Sequence, residues 1–356
     1  MFKKMKKCYT IELVMYMKKR MVIMFLLLCT LLTGCGKDTY GPIKPGETGN
    51  KDNNEPAVKQ ELKIVDINSK SRPVAVMINN LSAARPVQSG VMDAYIVYEI
   101  IVEGGITRYM AVYKDKDTAK IGTVRSSRDY YLDYALENDA IYVHFGWSPQ
   151  AQELIGKLGV NNINGLYDDA FWRDNPMNLA YEHTAYTSMD RIMKVAKNKG
   201  YRLTSEKDLL LNYSADEISI ESEESSLKAD NVSIRYSNAV TTSYNYNPTD
   251  KLYYRSVNGT AQKDYVTKKQ YTAKNIIISY ADNGSISNDN KGRQELNNIG
   301  TGKGYYITDG YSIPITWTKT SRTEQTVYKK LNGEEITVND GNTFIQIAPK
   351  NSAKIS

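Results

Sequence analysis

The segment that ends at Cys35 restricts the rest of this chain more than any other feature. The basic residues Lys18-Lys19-Arg20 precede an apolar run from Met21 to Leu32, and Leu32-Thr33-Gly34-Cys35 follows the pattern of a bacterial lipobox. An apolar core of about 12 residues is typical of a signal peptide, whereas a membrane-spanning helix needs roughly 20. We therefore predict a signal peptide over 1–34 and a diacylglycerol anchor on Cys35. The alternative is a membrane span or a buried helix, with Cys35 an ordinary thiol.

This prediction places the folded part of the chain on the outer face of the cytoplasmic membrane, with membrane lipid as its partner through Cys35. Every cysteine lies in the signal peptide or at its end, namely Cys8, Cys29 and Cys35. The folded part can therefore form no disulfide, and its core must stabilise it. The sequence leaves the translation start open between Met1, Met15 and Met17.

The charge balance argues against nucleic acid as a partner. The chain carries 46 Lys and Arg and 40 Asp and Glu, but residues 1–34 hold seven of the basic residues and one of the acidic ones, which leaves 39 of each. A nucleic-acid binder keeps a basic surplus or a basic stripe. We therefore expect no nucleic-acid partner.

Composition divides the remainder into four segments. Residues 35–62 hold the anchor cysteine and a tether rich in Gly, Pro and charge, a composition that buries little apolar surface. Buried strands such as Val74-Ala75-Val76-Met77-Ile78 alternate with helix signals over 63–212, which predicts a three-layer α/β domain. An acidic, serine-rich connection fills 213–230. Short strands with no convincing helix predict a mainly antiparallel β domain over 231–356, so the predicted fold class is mixed α/β.

Cap and turn signals locate individual elements. They predict three helices in the first domain, from Ser126-Ser127 to about Asn138, from Ser148-Pro149 to Gly159, and from Thr187 to Gly200. In the second domain, Asn-Gly pairs predict hairpin turns at Asn258-Gly259, Asn283-Gly284 and Asn332-Gly333.

One group of charged and polar residues in the first domain indicates an anion site. Its members are Glu99, Glu103, Arg108, Arg125, Ser126 and Arg128. The two acidic residues bracket the end of a predicted strand, and the last three residues stand at a predicted helix start. A helix N-terminus offers free N–H groups, and arginine binds carboxylate, sulfate or phosphate through two parallel hydrogen bonds. We predict that the arginines bind an anion and that the glutamates orient them. The alternative is that these residues pair only to hold loops together.

The chain has two histidines, His144 and His183. We add both to the candidate ligand-binding residues of the anion site. An imidazole beside a carboxylate such as Glu103 or Asp129 can act as a general base, so the catalytic candidates are His183, His144 and Glu103. No HExxH spacing or close ligand cluster exists, and we expect no metal. Gly300-Thr301-Gly302-Lys303-Gly304 lacks the spacing of a phosphate-binding loop and favours a glycine-rich hairpin, so we expect no cofactor.

Several longer motifs resemble one family. In the first half these are Arg72 to Asn80, Ala84 to Gly90, Tyr98-Glu99-Ile100-Ile101-Val102-Glu103-Gly104-Gly105-Ile106-Thr107-Arg108, Ile121-Gly122-Thr123-Val124-Arg125-Ser126-Ser127-Arg128 and the segment around His183. In the second half they are Tyr254-Arg255-Ser256, Gly292-Arg293, Gly300 to Gly304 and Trp317-Thr318-Lys319. From about residue 70 onward, the chain resembles the YerB-like lipoproteins of Gram-positive bacteria, a family of unknown function. That family usually has Asn after the histidine, where this chain has Thr184. The resemblance implies a two-domain envelope lipoprotein of mixed α/β architecture and supplies no reaction.

These observations lead to one hypothesis and two alternatives. We predict a membrane-anchored extracytoplasmic lipoprotein that binds an anionic or cell-wall-derived ligand. The first alternative is an envelope polymer hydrolase that uses His144 or His183 with Glu103 and the arginines. The second is a protein-interaction scaffold in the envelope, which would expose an apolar patch of several hundred Å². Whether the chain is an enzyme stays open at this point.

Overall fold

The computed structural model describes residues 61–356. The predicted signal peptide and the anchor at Cys35 lie outside these residues. In the described range, no helix combines the length and the apolar character needed to cross a membrane. Its α-helices are α1 (Asp129–Glu137), α2 (Pro149–Lys157) and α3 (Met189–Asn198).

The strands are distributed over the whole described range. Up to residue 214 they are β1 (Val74–Asn79), β2 (Ile96–Ile101), β3 (Thr107–Tyr113), β4 (Ile121–Gly122), β5 (Ile141–His144), β6 (Asn162–Asn164), β7 (Phe171–Arg173), β8 (Ala185–Thr187) and β9 (Asn212–Ser214). From residue 227 they are β10 (Leu227–Lys228), β11 (Asn231–Arg235), β12 (Thr241–Asn247), β13 (Leu252–Val257), β14 (Thr260–Ala261), β15 (Thr272–Ala273), β16 (Asn275–Tyr280), β17 (Asp282–Ser285), β18 (Gln294–Asn297), β19 (Gly300–Thr308), β20 (Tyr311–Lys319), β21 (Val327–Lys330), β22 (Thr337–Asn339), β23 (Thr343–Ala348) and β24 (Ala353–Ile355).

One large sheet runs through both halves of the chain. Its eleven strands have the order β10-β20-β19-β16-β23-β2-β3-β1-β5-β6, and β21 pairs with β20. The halves meet where β2 and β23 run parallel, with Ile96 opposite Thr343. Every residue of β1, β2, β3 and β23 is buried. Burial on both faces explains why these strands read as nearly continuous apolar runs.

The large sheet is covered on both faces. On one face, Ala75 and Met77 of β1 belong to a core that includes Tyr131 of α1. On the other face, Val76 of β1 belongs to a second core with Ile192 of α3 and with residues of a six-stranded sheet. That six-stranded sheet has the order β14-β13-β12-β11-β24, with β15 beside β13. The result is a mixed α/β fold with a large β content, as the sequence predicted.

The local predictions have different outcomes. Ser148 caps α2 by accepting a hydrogen bond from the Ala151 amide, which confirms that helix start. The cap of α3 is Ser188, one residue after the predicted Thr187. The predicted Ser126-Ser127 cap is wrong, because α1 begins after Arg128 with no side-chain cap.

The second half is mainly antiparallel, as predicted, although strand β23 runs parallel to both of its neighbours. Asn258-Gly259 and Asn332-Gly333 lie in turns, but Asn283-Gly284 lies inside β17. Gly300 to Gly304 opens the strand β19, which pairs antiparallel with β20 around the turn at Asp309-Gly310, so the predicted glycine-rich hairpin is confirmed.

Candidate anion-binding cleft

A cleft of about 380 Å³ opens where β2 turns into β3 and where α1 and α2 begin. Its lining contains five cationic side chains, Arg108, Arg125, Arg128, Lys291 and Arg293. Glu103 is the one carboxylate among the lining residues, and Ile106, Trp147 and Ser148 complete the wall. The structure therefore brings the three predicted arginines together with one of the two predicted glutamates.

Backbone hydrogen bonds fix the segment that carries two of the arginines. The Arg125 amide donates to the Met77 carbonyl at 3.0 Å, which ties the segment to the end region of β1. The Ser127 amide donates to the Gly146 carbonyl at 3.0 Å, and the Ser148 amide donates to the Ser127 carbonyl at 3.2 Å. The segment is thus held between β1 and the loop that leads into α2, so its side chains have defined positions.

Glu103 lies in the tight turn Glu103–Gly105 between β2 and β3. Its carboxylate accepts a hydrogen bond from Arg128 Nε and lies 3.6 Å from Arg108 Nη2. Burial acts to raise the pKa of Glu103, but the hydrogen bond from Arg128 and the charges of both arginines outweigh it and hold that pKa below its usual value. Glu103 is therefore an anion that orients two arginines, a role that the sequence predicted for both Glu99 and Glu103.

Arg108 is the most buried cation of the cleft, with 5% of its surface exposed. Its Nη1 donates to the Ser126 carbonyl at 2.6 Å, so Ser126 contributes to the site through its backbone. Burial and then the charge of Arg128 lower the pKa of Arg108 to about 10, although Glu103 opposes them. The guanidinium remains protonated at neutral pH but lies beside other cations, and an anion would relieve this repulsion.

Two further arginines of the cleft have acidic partners. Arg125 Nη2 lies 3.0 Å from the Glu182 carboxylate, whose side chain is about half exposed. Arg293 Nη1 lies 2.8 Å from Asp289, four residues earlier in the loop between β17 and β18. The Arg125–Glu182 pair is partly exposed and contributes little to stability, whereas the Asp289 side chain is only 9% exposed. Arg125 can therefore exchange Glu182 for an anionic ligand at low cost.

His183 lies next to the cleft and contacts its rim through Glu182. Asn79 Nδ2 lies 2.8 Å from His183 Nδ1. Asn79 Oδ1 accepts from the Leu81 amide, so Nδ2 is the atom that donates to the imidazole. The neutral ring then carries its hydrogen on Nε2, which lies 3.7 Å from Glu182 Oε1. Burial lowers the pKa of His183. In this geometry neither ring nitrogen offers a free lone pair to a substrate, as a general base requires.

His144 is fully buried and does not line the cleft. Its Nδ1 donates to the Gly146 carbonyl at 2.8 Å, and Nε2 lies 3.2 Å from the Asn162 side chain. Burial lowers the pKa of His144 to about 4. His144 therefore holds the loop before α2 in place as a neutral ring, and the structure does not bring it together with the arginines.

The predicted role of Glu99 as a partner of the cleft arginines is wrong. Its carboxylate is fully buried and lies 2.8 Å from Arg255 Nη2, whose side chain is also fully buried. It also accepts a hydrogen bond from Thr107 Oγ1 at 2.7 Å. A buried carboxylate needs a charged or hydrogen-bonding partner in its own surroundings, and Arg255 of the six-stranded sheet supplies it.

Sequence reasoning missed the contribution of the second half to the cleft. Lys291 and Arg293 come from the loop between β17 and β18, more than 160 residues from Arg125. The sequence identified Gly292-Arg293 only as a motif of the family resemblance and assigned it no role in the site. Nothing in local spacing could place these residues beside the arginines, because only the continuous sheet brings the halves together. Among the described residues, no group of three or more His, Cys, Asp or Glu side chains is placed to hold a metal ion.

The comparisons with known proteins agree with this architecture. Two models of one family, described as a protein of unknown function (DUF3048), match the chain, the N-terminal domain at residues 61–202 and the C-terminal domain at residues 232–345. The chain therefore belongs to the DUF3048 family. "Putative lipoprotein YerB" of Bacillus subtilis (strain 168) is 33% identical over 337 residues, which is 92% of each chain. The crystal structure of the Bacillus subtilis YerB protein matches with a TM-score of 0.69 and 35% identity, covering 80% of this chain and 94% of that one.

Proposed function

We propose that this chain is a membrane-anchored lipoprotein whose folded part binds a phosphate-bearing ligand in the arginine cleft. The observation that carries the proposal is the composition of the lining, with five cationic side chains and one carboxylate. Glu103 compensates part of this charge, and Glu182 and Asp289, the acidic partners of Arg125 and Arg293, are not among the lining residues. The cleft thus has an excess of positive charge at its centre, which favours an anion there.

Phosphate fits this cleft better than a carboxylate does. Arginine side chains reach the cleft from β3, from the start of α1 and from the loop between β17 and β18. A phosphate group has several acceptor oxygens in different directions, whereas a carboxylate offers two in one plane. Guanidinium groups converging from three elements therefore match a phosphate group. Anionic, phosphate-containing material of the cell envelope is the class of ligand we expect.

Two observations support the membrane anchor. The relative in Bacillus subtilis carries the name of a lipoprotein. Leu32-Thr33-Gly34-Cys35 supplies the matching lipidation signal in this sequence. A signal peptide directs export, so the folded part faces outward from the cytoplasmic membrane.

Isothermal titration calorimetry with inorganic pyrophosphate tests the binding proposal. The full-length protein in detergent solution is compared with Arg125→Ala, which removes a half-buried cleft cation and leaves the backbone contact to Met77 intact. Loss of a charge-assisted hydrogen bond should weaken binding about tenfold or more. The matched control is Arg235→Ala, since the side chain of Arg235, at the end of β11, hydrogen-bonds only to Asn238. Equal affinity of wild type and Arg125→Ala, or no binding by wild type, would overturn the proposal.

A further inference from the structure

Exposed apolar and aromatic side chains adjoin the arginine cleft. Trp147 forms part of the cleft wall. The ring of Tyr167 packs against Trp147 with 5.8 Å between centroids, and Tyr167 is 74% exposed. Leu166 is 53% exposed, and its Cδ1 lies beside Gly146, the neighbour of Trp147. We call Trp147, Leu166 and Tyr167 the aromatic shelf.

The shelf is held in place by a dense set of hydrogen bonds. Asn164 Oδ1 accepts from the amides of Gly146 and Leu166, at 2.9 and 3.1 Å. Asp168 accepts from the Asn164 amide at 2.7 Å and pairs with Lys199 at 2.7 Å. The exposed side chains therefore stand on a fixed loop. A fixed apolar surface in contact with water is a common feature of binding sites.

We infer that the ligand of this protein is a phosphorylated sugar, with its phosphate in the arginine cleft and its ring on the aromatic shelf. The inference rests on the proposed function, because the arginines supply the phosphate site. One face of a sugar ring presents C–H groups and suits Tyr167 and Leu166, while its hydroxyl groups stay in water. Since Trp147 lines the cleft and contacts Tyr167, the phosphate site and the shelf are continuous.

The ring geometry favours a sugar over a nucleobase. The indole of Trp147 is tilted by 41° from the ring of Tyr167. These two rings form a stepped surface, whereas a flat base stacks best on a ring parallel to it. A puckered sugar ring can follow a stepped surface. The balanced charge of residues 35–356, with 39 basic and 39 acidic residues, also gives no support to nucleic acid.

The test compares three probes by calorimetry on the full-length protein in detergent solution. The probes are glucose 1-phosphate, glycerol 3-phosphate and uridine monophosphate. Wild type should bind glucose 1-phosphate about tenfold more tightly than glycerol 3-phosphate, since the ring buries additional apolar surface. Tyr167→Ala should abolish this preference and leave the affinity for glycerol 3-phosphate unchanged. The control, Tyr254→Ala, removes a tyrosine of the six-stranded sheet and should keep the preference.

Other outcomes would overturn the inference in distinguishable ways. Equal affinity of wild type for glucose 1-phosphate and glycerol 3-phosphate would contradict binding of the sugar ring on the shelf. A preference for glucose 1-phosphate that survives in Tyr167→Ala would contradict it too. Neither result would contradict the phosphate site. A preference of wild type for uridine monophosphate would assign the shelf to a base. Failure of wild type to bind any phosphate, pyrophosphate included, would overturn the proposed function and the inference with it.

Discussion

The carboxylate of Glu99 lies 2.8 Å from the guanidinium of Arg255, and both side chains are completely buried. Arg255 also donates to the hydroxyls of Tyr109 and Tyr244, both at 2.7 Å, and to Gln262 Oε1 at 2.8 Å. The pair joins β2 of the large sheet to β13 of the six-stranded sheet. A buried pair of charges tolerates the loss of neither partner, because the other charge is then left uncompensated.

The first prediction concerns this pair. Arg255→Met should lower the free energy of unfolding by about 3–5 kcal/mol, since it leaves the Glu99 carboxylate buried and unpaired. Urea unfolding at neutral pH measures the change. Lys350→Ala is the control, because Lys350 and Asp282 form an ion pair whose side chains are 62% and 59% exposed. That variant should change stability by less than about 1 kcal/mol. An Arg255→Met protein as stable as the control would show that the pair is not needed.

The second prediction concerns His144 and pH. Its pKa is about 4 in the folded protein, against an ordinary value of 6.5. Below pH 6.5 the unfolded chain binds a proton that the folded protein does not, so stability falls as the pH decreases from 6.5 to about 4. The loss should reach about 3 kcal/mol. His144→Gln should lack this part of the pH dependence in urea unfolding at pH 7 and pH 5. Identical pH slopes for variant and wild type would contradict the account.

The third prediction separates stability from binding at Glu103. Glu103→Gln should lower the free energy of unfolding by about 1–3 kcal/mol, because Arg108 and Arg128 lose their charged partner. The same change removes the carboxylate from the cleft lining and should strengthen pyrophosphate binding severalfold. Unfolding and calorimetry on the same preparation measure both effects. Weaker binding in this variant would mean that positioning of the arginines by Glu103 matters more than the charge that it adds.

The fourth prediction explains the glycine-rich start of β19. A Cβ on Gly304 would lie 1.8 Å from the Ile278 carbonyl oxygen in the neighbouring strand β16. Gly304→Ala should therefore force the strands apart and cost about 3 kcal/mol or more in thermal or urea unfolding. Gly284→Ala in β17 is the control, since the only atom near its Cβ would be a side-chain oxygen at 3.8 Å. Equal stability of the two variants would rule out this explanation of the motif.

Much of the local structure could be predicted from the sequence. Pro149 after Ser148 defines the start of α2, because the serine side chain satisfies a free amide and proline fits the first turn. The run Val74 to Ile78 predicts a strand because a continuous apolar run of this length fits a strand buried on both faces. These signals depend only on neighbours in the chain.

The partners of charged groups could not be predicted in the same way. Glu99 stands near the cleft arginines in sequence, yet it pairs with Arg255, 156 residues away. In a strand, neighbouring side chains point to opposite faces of the sheet. Which face meets a partner depends on how the large sheet packs on the six-stranded sheet. The same limit applies to Arg293, which reaches the cleft only because β23 joins the halves.

Anomalous diffraction from crystals soaked in tungstate, a heavy analogue of phosphate, tests the arginine cleft most directly. The account predicts a tungsten peak within hydrogen-bonding distance of at least two of Arg108, Arg125 and Arg128. The same soak of Arg125→Ala crystals should give a weaker peak at this position. Tungsten peaks found only elsewhere on the protein, with the cleft free of them, would contradict the claim that this cleft binds phosphate.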